Sequence, residues 1–277
     1  MIHGIINVYK EKGFTSHDVV AKLRGIVGQK KIGHTGTLDP DATGVLIVLV
    51  GRACKILPFL ENTDKEYIAQ LMLGQTTDTE DIWGKVLATG EIKPIEDFEG
   101  LLKSFEGRQK QLPPMVSSIK VNGKKLYEYA RSGEAVERPL RDIEIYETQV
   151  LDAKELRFRV ACSSGTYIRS LCRDLAEKSG NLGCMSSLVR SKAGHFTLAQ
   201  CVSLEDVAEG NYKLLPMIEA LKHLPMITPA NEADIRNGKR VQLNCDEAQV
   251  VMISNDEVLA VYEREKENIY RCVRGLW

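Results

Sequence analysis

The sequence predicts a mixed α+β body carrying a small all-β appendage. Two observations predict it. Apolar runs of strand length alternate with apolar residues at helical spacing through the first two hundred or so residues, which is the pattern of sheet and helix sharing one core. Beyond a change of texture near residues 224–229, only short strand candidates remain. No internal repeat or low-complexity tract interrupts either part.

The elements follow in order. Thr15 and Ser16 offer a helix N-cap, Val19, Val20, Leu23 and Val27 recur at helical spacing, and Gly28 is the stop. Residues 45–50, VLIVLV, are apolar throughout, so they predict a strand buried on both faces and central in its sheet. Residues 67–73 predict a second strand and residues 95–105 a second helix. Residues 113–131 differ: a Pro-Pro pair leads into SSIKVNGKKLYEYAR, where Asn122-Gly123 signals a tight turn. Residues 144–150 and 156–162 predict paired strands. Ser163–Gly165 then turns the chain into a helix with Ile168, Leu171, Cys172 and Leu175 on one face, ended by Gly180. Ser203, with Asp206 three residues on, caps another short helix. Last come four strand candidates, 240–243, 249–253, 258–262 and 269–273, separated by polar turns such as SNDE and REKEN. Strands this short and regular predict a small β-barrel.

Composition excludes several classes. The 277 residues are 43% apolar and 27% charged, and no apolar run approaches the roughly 20 residues of a membrane span. The N-terminal MIHGIINVYKEKG lacks a signal peptide's apolar core, so a cytoplasmic protein is expected. Seven cysteines form no C-x-x-C pair, which argues for reduced thiols over zinc or disulfides. The net charge of −1 hides segregation. Residues 103–125 carry six bases against one acid and residues 154–192 eight against three, while acids gather at 61–66 and 91–99. A near-neutral chain patterned this way can turn a basic face to a polyanion.

The chemistry concentrates in KKIGHTGTLDPDATGVLIVLVG, residues 30–51. Its loop offers glycines, the hydroxyls of Thr35 and Thr37, the imidazole of His34 and the carboxylate of Asp39, all anchored by a buried strand. A plain Asp-Pro turn is one reading. No phosphate-gripping G-x-x-x-x-G-K-[ST] occurs. Asp39-Pro40-Asp41-Ala42-Thr43 also has the D-x-D-x-T shape of magnesium-dependent phosphatases that form an aspartyl-phosphate. Those enzymes set the first Asp at the end of an apolar strand, whereas here the apolar run comes afterwards.

GHTGTLDPDATGVLIV resembles the signature of the bacterial tRNA pseudouridine-55 synthases, the TruB family. Five more segments resemble that family in its own order: VYKEKGFTSHDVV (8–20), KEYIAQLMLGQTTDTED (65–81), QLPPMVSSIKVNGKKLYEYAR (111–131), SSGTYIRSLCRDLA (163–176) and LVRSKAGHFTL (188–198). One departure is Glu11, where the family usually has proline. The resemblance implies a pseudouridine-synthase fold, with a central mixed, largely antiparallel sheet. It implies a catalytic domain over 1–224, an RNA-clamping insertion at about 103–141, and a short PUA-like RNA-binding barrel over 225–277.

The activity so implied is isomerisation of the T-loop uridine of tRNA to pseudouridine, without metal, redox cofactor or ATP, by a cytoplasmic monomer. Asp39 is then the essential carboxylate, Arg169 its guanidinium partner, and Tyr67 the ring that stacks on the target base. His34 would fill the stacking place that the everted base leaves. Tyr167, Leu188, Lys10, Asp78 and Lys120 complete the implied substrate-binding set. The phosphatase, and an RNA-binding protein without catalysis, remain the alternatives.

Overall fold

The computed structural model describes residues 1–60 and 63–277; Glu61, the first acid of the 61–66 cluster, lies outside them. The chain divides into two compact units. One comprises Met1–Pro40, Gly44–Glu61 and Gly194–Trp277, the other Asp41–Thr43 and Asn62–Ala193.

In the first unit the apolar run becomes the strand Thr43–Val50, buried from Gly44 onward. Strand Gly4–Lys10 pairs antiparallel along it, from Gly4 opposite Val50 to Lys10 opposite Gly44. The short strand Ile32–His34 pairs with Val48–Val50 on the other edge, so this strand is interior, as its composition predicts. Helix Ser16–Val27 starts where the cap is expected: Thr15 Oγ1 accepts from Asp18 N, and the Asp18 carboxylate accepts from Thr15 N at 2.8 Å. Gly28 closes it in the left-handed region at φ 65°. Val19, Val20 and Leu23 pack against Ile6, Val8, Leu46 and Val48. Each such side chain is worth about 1.5–3 kcal/mol when taken from water.

The C-terminal strand candidates all form. They build a five-stranded sheet in the order Met226–Ile227, Gln249–Ser254, Glu257–Lys266, Ile269–Gly275, Val241–Gln242. The first strand, which the sequence did not announce, pairs parallel to the second. Asn255 and Asp256 in the SNDE turn both take positive φ, as a two-residue hairpin turn requires. Val250, Met252, Leu259, Tyr262 and Tyr270 form this sheet's own core with Ile235.

The second unit is built on antiparallel strands in the order Gly183–Ala193, Lys65–Leu73, Arg157–Cys162, Arg141–Asp152, Gly107–Gln111. The helix expected over 95–105 is shorter, Phe98–Lys103, because the Asp97 carboxylate accepts from Gly100 N at 2.8 Å and fixes the start there. Helix Ile168–Lys178 buries Ile168, Leu171, Cys172 and Leu175, the face its spacing predicts. In 113–131 the Asn122-Gly123 turn, with φ 51° and 82°, closes the hairpin Lys120–Val121/Lys124–Lys125. Helix Leu126–Ser132 follows.

The basic runs meet acids in the fold. Lys103 pairs with Glu99, Arg108 with Glu144, Lys110 with Asp142, and Lys124 with Glu134. Arg159 bridges Glu66 and Glu147, each at 2.7 Å. All seven cysteines are free thiols. Among the described residues no helix is long and apolar enough to cross a membrane.

Candidate active site

Asp39 lies in the loop between strands Ile32–His34 and Thr43–Val50. The residues on either side of it are fixed from the 8–20 segment. Ser16, fully buried at the head of its helix, accepts from Leu38 N at 2.9 Å and lies 3.3 Å from Leu38 O as donor. The Pro40 carbonyl accepts from Lys10 Nζ and from Gly13 N, both at 2.9 Å. Asp39 is thus bracketed by two immobilised peptides, and its half-buried side chain stands on a backbone that has little freedom left. Lys10, expected among the substrate-binding residues, is fully buried, and its ammonium also donates to the Glu11 carbonyl at 3.0 Å. A carbonyl serves that role whether residue 11 is Glu or Pro.

His34 ends its strand, half-buried. Its ring meets the exposed His17 ring edge to face, with centroids 5.3 Å apart. Leu38 and Ala42 of the loop are buried, as is Val45–Val50 behind it. That contrast between a polar loop and an apolar support is what the sequence predicts.

A second set of expected residues gathers in the other unit. Tyr67 is buried on strand Lys65–Leu73, opposite Val160 on one neighbour and Arg190 on the other. Leu188 lies opposite Ala69. Paired residues of antiparallel strands share a face, and so do residues two apart, which puts Tyr67, Ala69, Val160, Leu188 and Arg190 on one side of the sheet. Lys65 belongs to that side too. Its ammonium donates to the Thr63 carbonyl and to Ser164 Oγ at 3.1 Å, and burial together with the Arg190 charge brings its pKa down to about 8.

Arg169 is 5% exposed, near the start of helix Ile168–Lys178. Its guanidinium donates to the carbonyls of Thr79 at 2.7 Å and Val116 at 2.9 Å, and Nε lies 3.8 Å from the Asp81 carboxylate. Tyr167, half-buried, exchanges two hydrogen bonds with the Gln111 side chain: its N–H donates at 2.8 Å and its carbonyl accepts at 3.0 Å. Asp78 is exposed and accepts from Lys85 N at 2.8 Å within its own turn. Sequence reasoning missed Asp81, the acid three residues further on, whose carboxylate stands by Arg169. The signal was the run of acids in TTDTED; nothing local says which of them turns inward. Lys120 is exposed at the start of the hairpin, opposite Lys125. Among the described residues no three His, Cys, Asp or Glu side chains converge to hold a metal ion.

This architecture is the pseudouridine-synthase fold. It matches the structure of a Cbf5–Nop10–Gar1 complex at a TM-score of 0.76 and 26% identity, covering 99% of this chain and 85% of that one. An H/ACA ribonucleoprotein bound to a substrate RNA containing 2'-deoxyuridine matches at 0.74 and 25%, covering 98% and 84%. The chain belongs to the TruB family: the family model for the N-terminal domain of TruB pseudouridylate synthases matches residues 24–168, and that for the tRNA pseudouridylate synthase B C-terminal domain matches 169–233. Similar relatives include the tRNA pseudouridine synthase B of Oceanobacillus iheyensis, 42% identical, covering 96% of this chain and 94% of that one. The tRNA pseudouridine synthase B of Streptococcus thermophilus is 43% identical, covering 95% and 96%.

Proposed function

We propose that this chain converts a uridine of tRNA, the T-loop uridine at position 55, to pseudouridine. The observation that carries the reading is kinship with tRNA pseudouridine synthase B along nearly the whole chain, with the motif aspartate on a loop whose flanking peptides are pinned. In the reaction the N1–C1′ bond breaks, the uracil turns while held, and C5 bonds to C1′. C5 loses its proton and N1 gains one. Atoms and electrons balance within the nucleoside, so no metal, redox cofactor or ATP is consumed.

Asp39, ionised, supplies the anion that reacts at the ribose, as nucleophile or as base. A carboxylate beside a buried base is costly to keep charged without a cation, and Arg169 takes that part. Tyr67 stacks on the everted ring, walled by Tyr167 and Leu188. His34 enters the place the base has left. The segment 103–141, with Lys120 and the tyrosines of 126–132, closes on the RNA arm. Its exposed ion pairs are worth at most about 1 kcal/mol each, so phosphates can replace their carboxylates. Lys10 and Asp78 serve the site by holding its loops. Residues 225–277 act as a PUA-like RNA-binding appendage to the 1–224 body, in a monomer working in the cytoplasm.

The test is tRNA transcript carrying tritium at uridine C5. Wild type releases tritium to water; Asp39→Asn releases it roughly 10⁴-fold more slowly, as expected for a group acting in the transition state. Equal release by both proteins would overturn the role of Asp39, and no release by wild type would overturn the reaction.

A further inference from the structure

The helix that carries Arg169 is stitched to the strap 111–116, within the proposed clamp. Gln111 binds the backbone of Tyr167 through both ends of its amide, Arg173 donates to Leu112 O at 3.2 Å, and Arg169 itself donates to Val116 O. One carboxylate stands at the centre of these ties. Glu80 accepts from Ser170 Oγ at 2.7 Å and from Arg173 Nη1 at 2.5 Å, and lies 3.5 Å from Arg138 Nη1. Arg138, near the far end of the clamp, also donates to the strap at Pro113 O, 2.8 Å away. On either side of Glu80, the Thr79 carbonyl and the Asp81 carboxylate face Arg169.

The backbone marks this position as well. Glu80 is held at φ 64°, a left-handed conformation uncommon for a glutamate and costing of order 1 kcal/mol. Surrounding contacts enforce it: Met185 N donates to Glu80 O at 3.1 Å, and Ile82 N to Met185 O at 3.0 Å. A residue kept in an unfavourable backbone conformation, its carboxylate mostly buried and met by three cationic or hydroxyl groups, has the features of a positioning residue.

We propose that Glu80 couples the clamp to the catalytic arginine. It joins Arg138 and the strap to Ser170 and Arg173, so that the register of the clamp sets where the Arg169 guanidinium stands. The inference rests on the reading of Arg169 as partner of the reacting carboxylate. The ties are already in place without RNA, so a clamp held in this register keeps the arginine where the reaction needs it.

The experiment compares wild type, Glu80→Gln, Arg138→Gln and the double variant. Tritium release is measured at saturating and limiting tRNA, and RNA affinity by filter binding. Glu80→Gln keeps the shape and an acceptor for Ser170, and Arg173 keeps Asp174, 2.7 Å away, so the fold is retained. The expected result is a kcat lowered about ten- to a hundredfold, with KM and Kd within about twofold, as for sub-ångström misplacement of a catalytic group. Arg138→Gln gives a smaller loss, and the double variant loses less than the product of the two single losses, because the Arg138–Glu80 tie is removed by either change. Glu80→Asp, whose shorter side chain tolerates φ > 0 better, restores part of kcat. Unchanged kcat in Glu80→Gln, a loss confined to KM, or strictly additive losses would each overturn the coupling. Absence of tritium release from wild type would instead overturn the reaction itself.

Discussion

Replacing Lys10 by methionine tests how the reactive loop is held. The side chain is fully buried, and its ammonium donates to Pro40 O at 2.9 Å and Glu11 O at 3.0 Å. Two hydrogen bonds from a charged donor are worth about 3–6 kcal/mol gross. Against that, methionine returns the cost of burying an ammonium, several kcal/mol, and fills nearly the same volume. Pro40 O also keeps its bond from Gly13 N, whereas Glu11 O loses the Lys10 donor. The net loss is about 2 kcal/mol, which for a chain of this size lowers Tm by about 3–4 °C. Turnover falls further than stability. Pro40 adjoins Asp39, and a shift of about 1 Å at a reacting group costs about a hundredfold. Thermal unfolding followed by circular dichroism reads the first number, and tritium release at saturating tRNA, well below Tm, reads the second. A variant with Tm within about 1 °C of wild type and full turnover would refute the claim that Lys10 positions the loop.

Two further outcomes follow from local geometry and charge. Gly51 sits at φ 64°, where an added Cβ would lie 2.2 Å from His3 Nδ1 and 2.5 Å from Ile2 O, so Gly51→Ala loses at least about 2 kcal/mol in urea unfolding. A variant as stable as wild type would mean that the N-terminal residues give way without cost. Lys65, held at about 8 when folded against an ordinary 10.5, leaves the unfolded chain with more protons between those values. Stability therefore rises with pH across that window, and the contribution is lost as pH falls through 8. In Lys65→Met that contribution is absent. Urea unfolding of both proteins should show wild type gaining on the variant between about pH 8 and pH 10, and parallel curves would contradict the low pKa. Burial raises the Cys162 thiol to about 12 and acts in the opposite direction; the Lys65 charge works against that rise, so the opposing effect is no smaller in the variant and does not cancel wild type's gain.

Much of the fold was legible where the signal is local. The Thr15 cap, the Gly28 and Gly180 stops, the Asn122-Gly123 turn and the all-apolar strand before Gly51 depend on neighbours within a few residues, and each appears as expected. Strands without apolar periodicity were not announced. Gly107–Gln111 reads GRQKQ and is recognisable only by its pairing with Arg141–Asp152. Gly183–Ala193 begins in GCMSS, five residues before the Leu188 that the sequence marked. The helix over 95–105 begins only at Phe98 because one aspartate, at 97, decides where the first turn is capped, and it ends at Lys103 with Ser104 as its C-cap. In the site, residue types were readable from the motifs, but their company was not. The charge runs suggested a bare basic face, whereas their lysines and arginines meet acids brought from other strands.

By itself the sequence determined the α+β class, the positions of the caps and tight turns, and the family through six ordered motifs, because periodicity and backbone preference act over a few residues. Only the tertiary structure decided that Ser16 grips Leu38 across 22 positions, that the Thr79 carbonyl receives Arg169 across 90, and that Glu80 holds Arg173 across 93. Those choices rest on which buried polar groups find a partner once the sheets have formed. A hydrogen bond gains its strength from being taken out of water, and which groups leave water together is settled by packing, not by neighbouring letters.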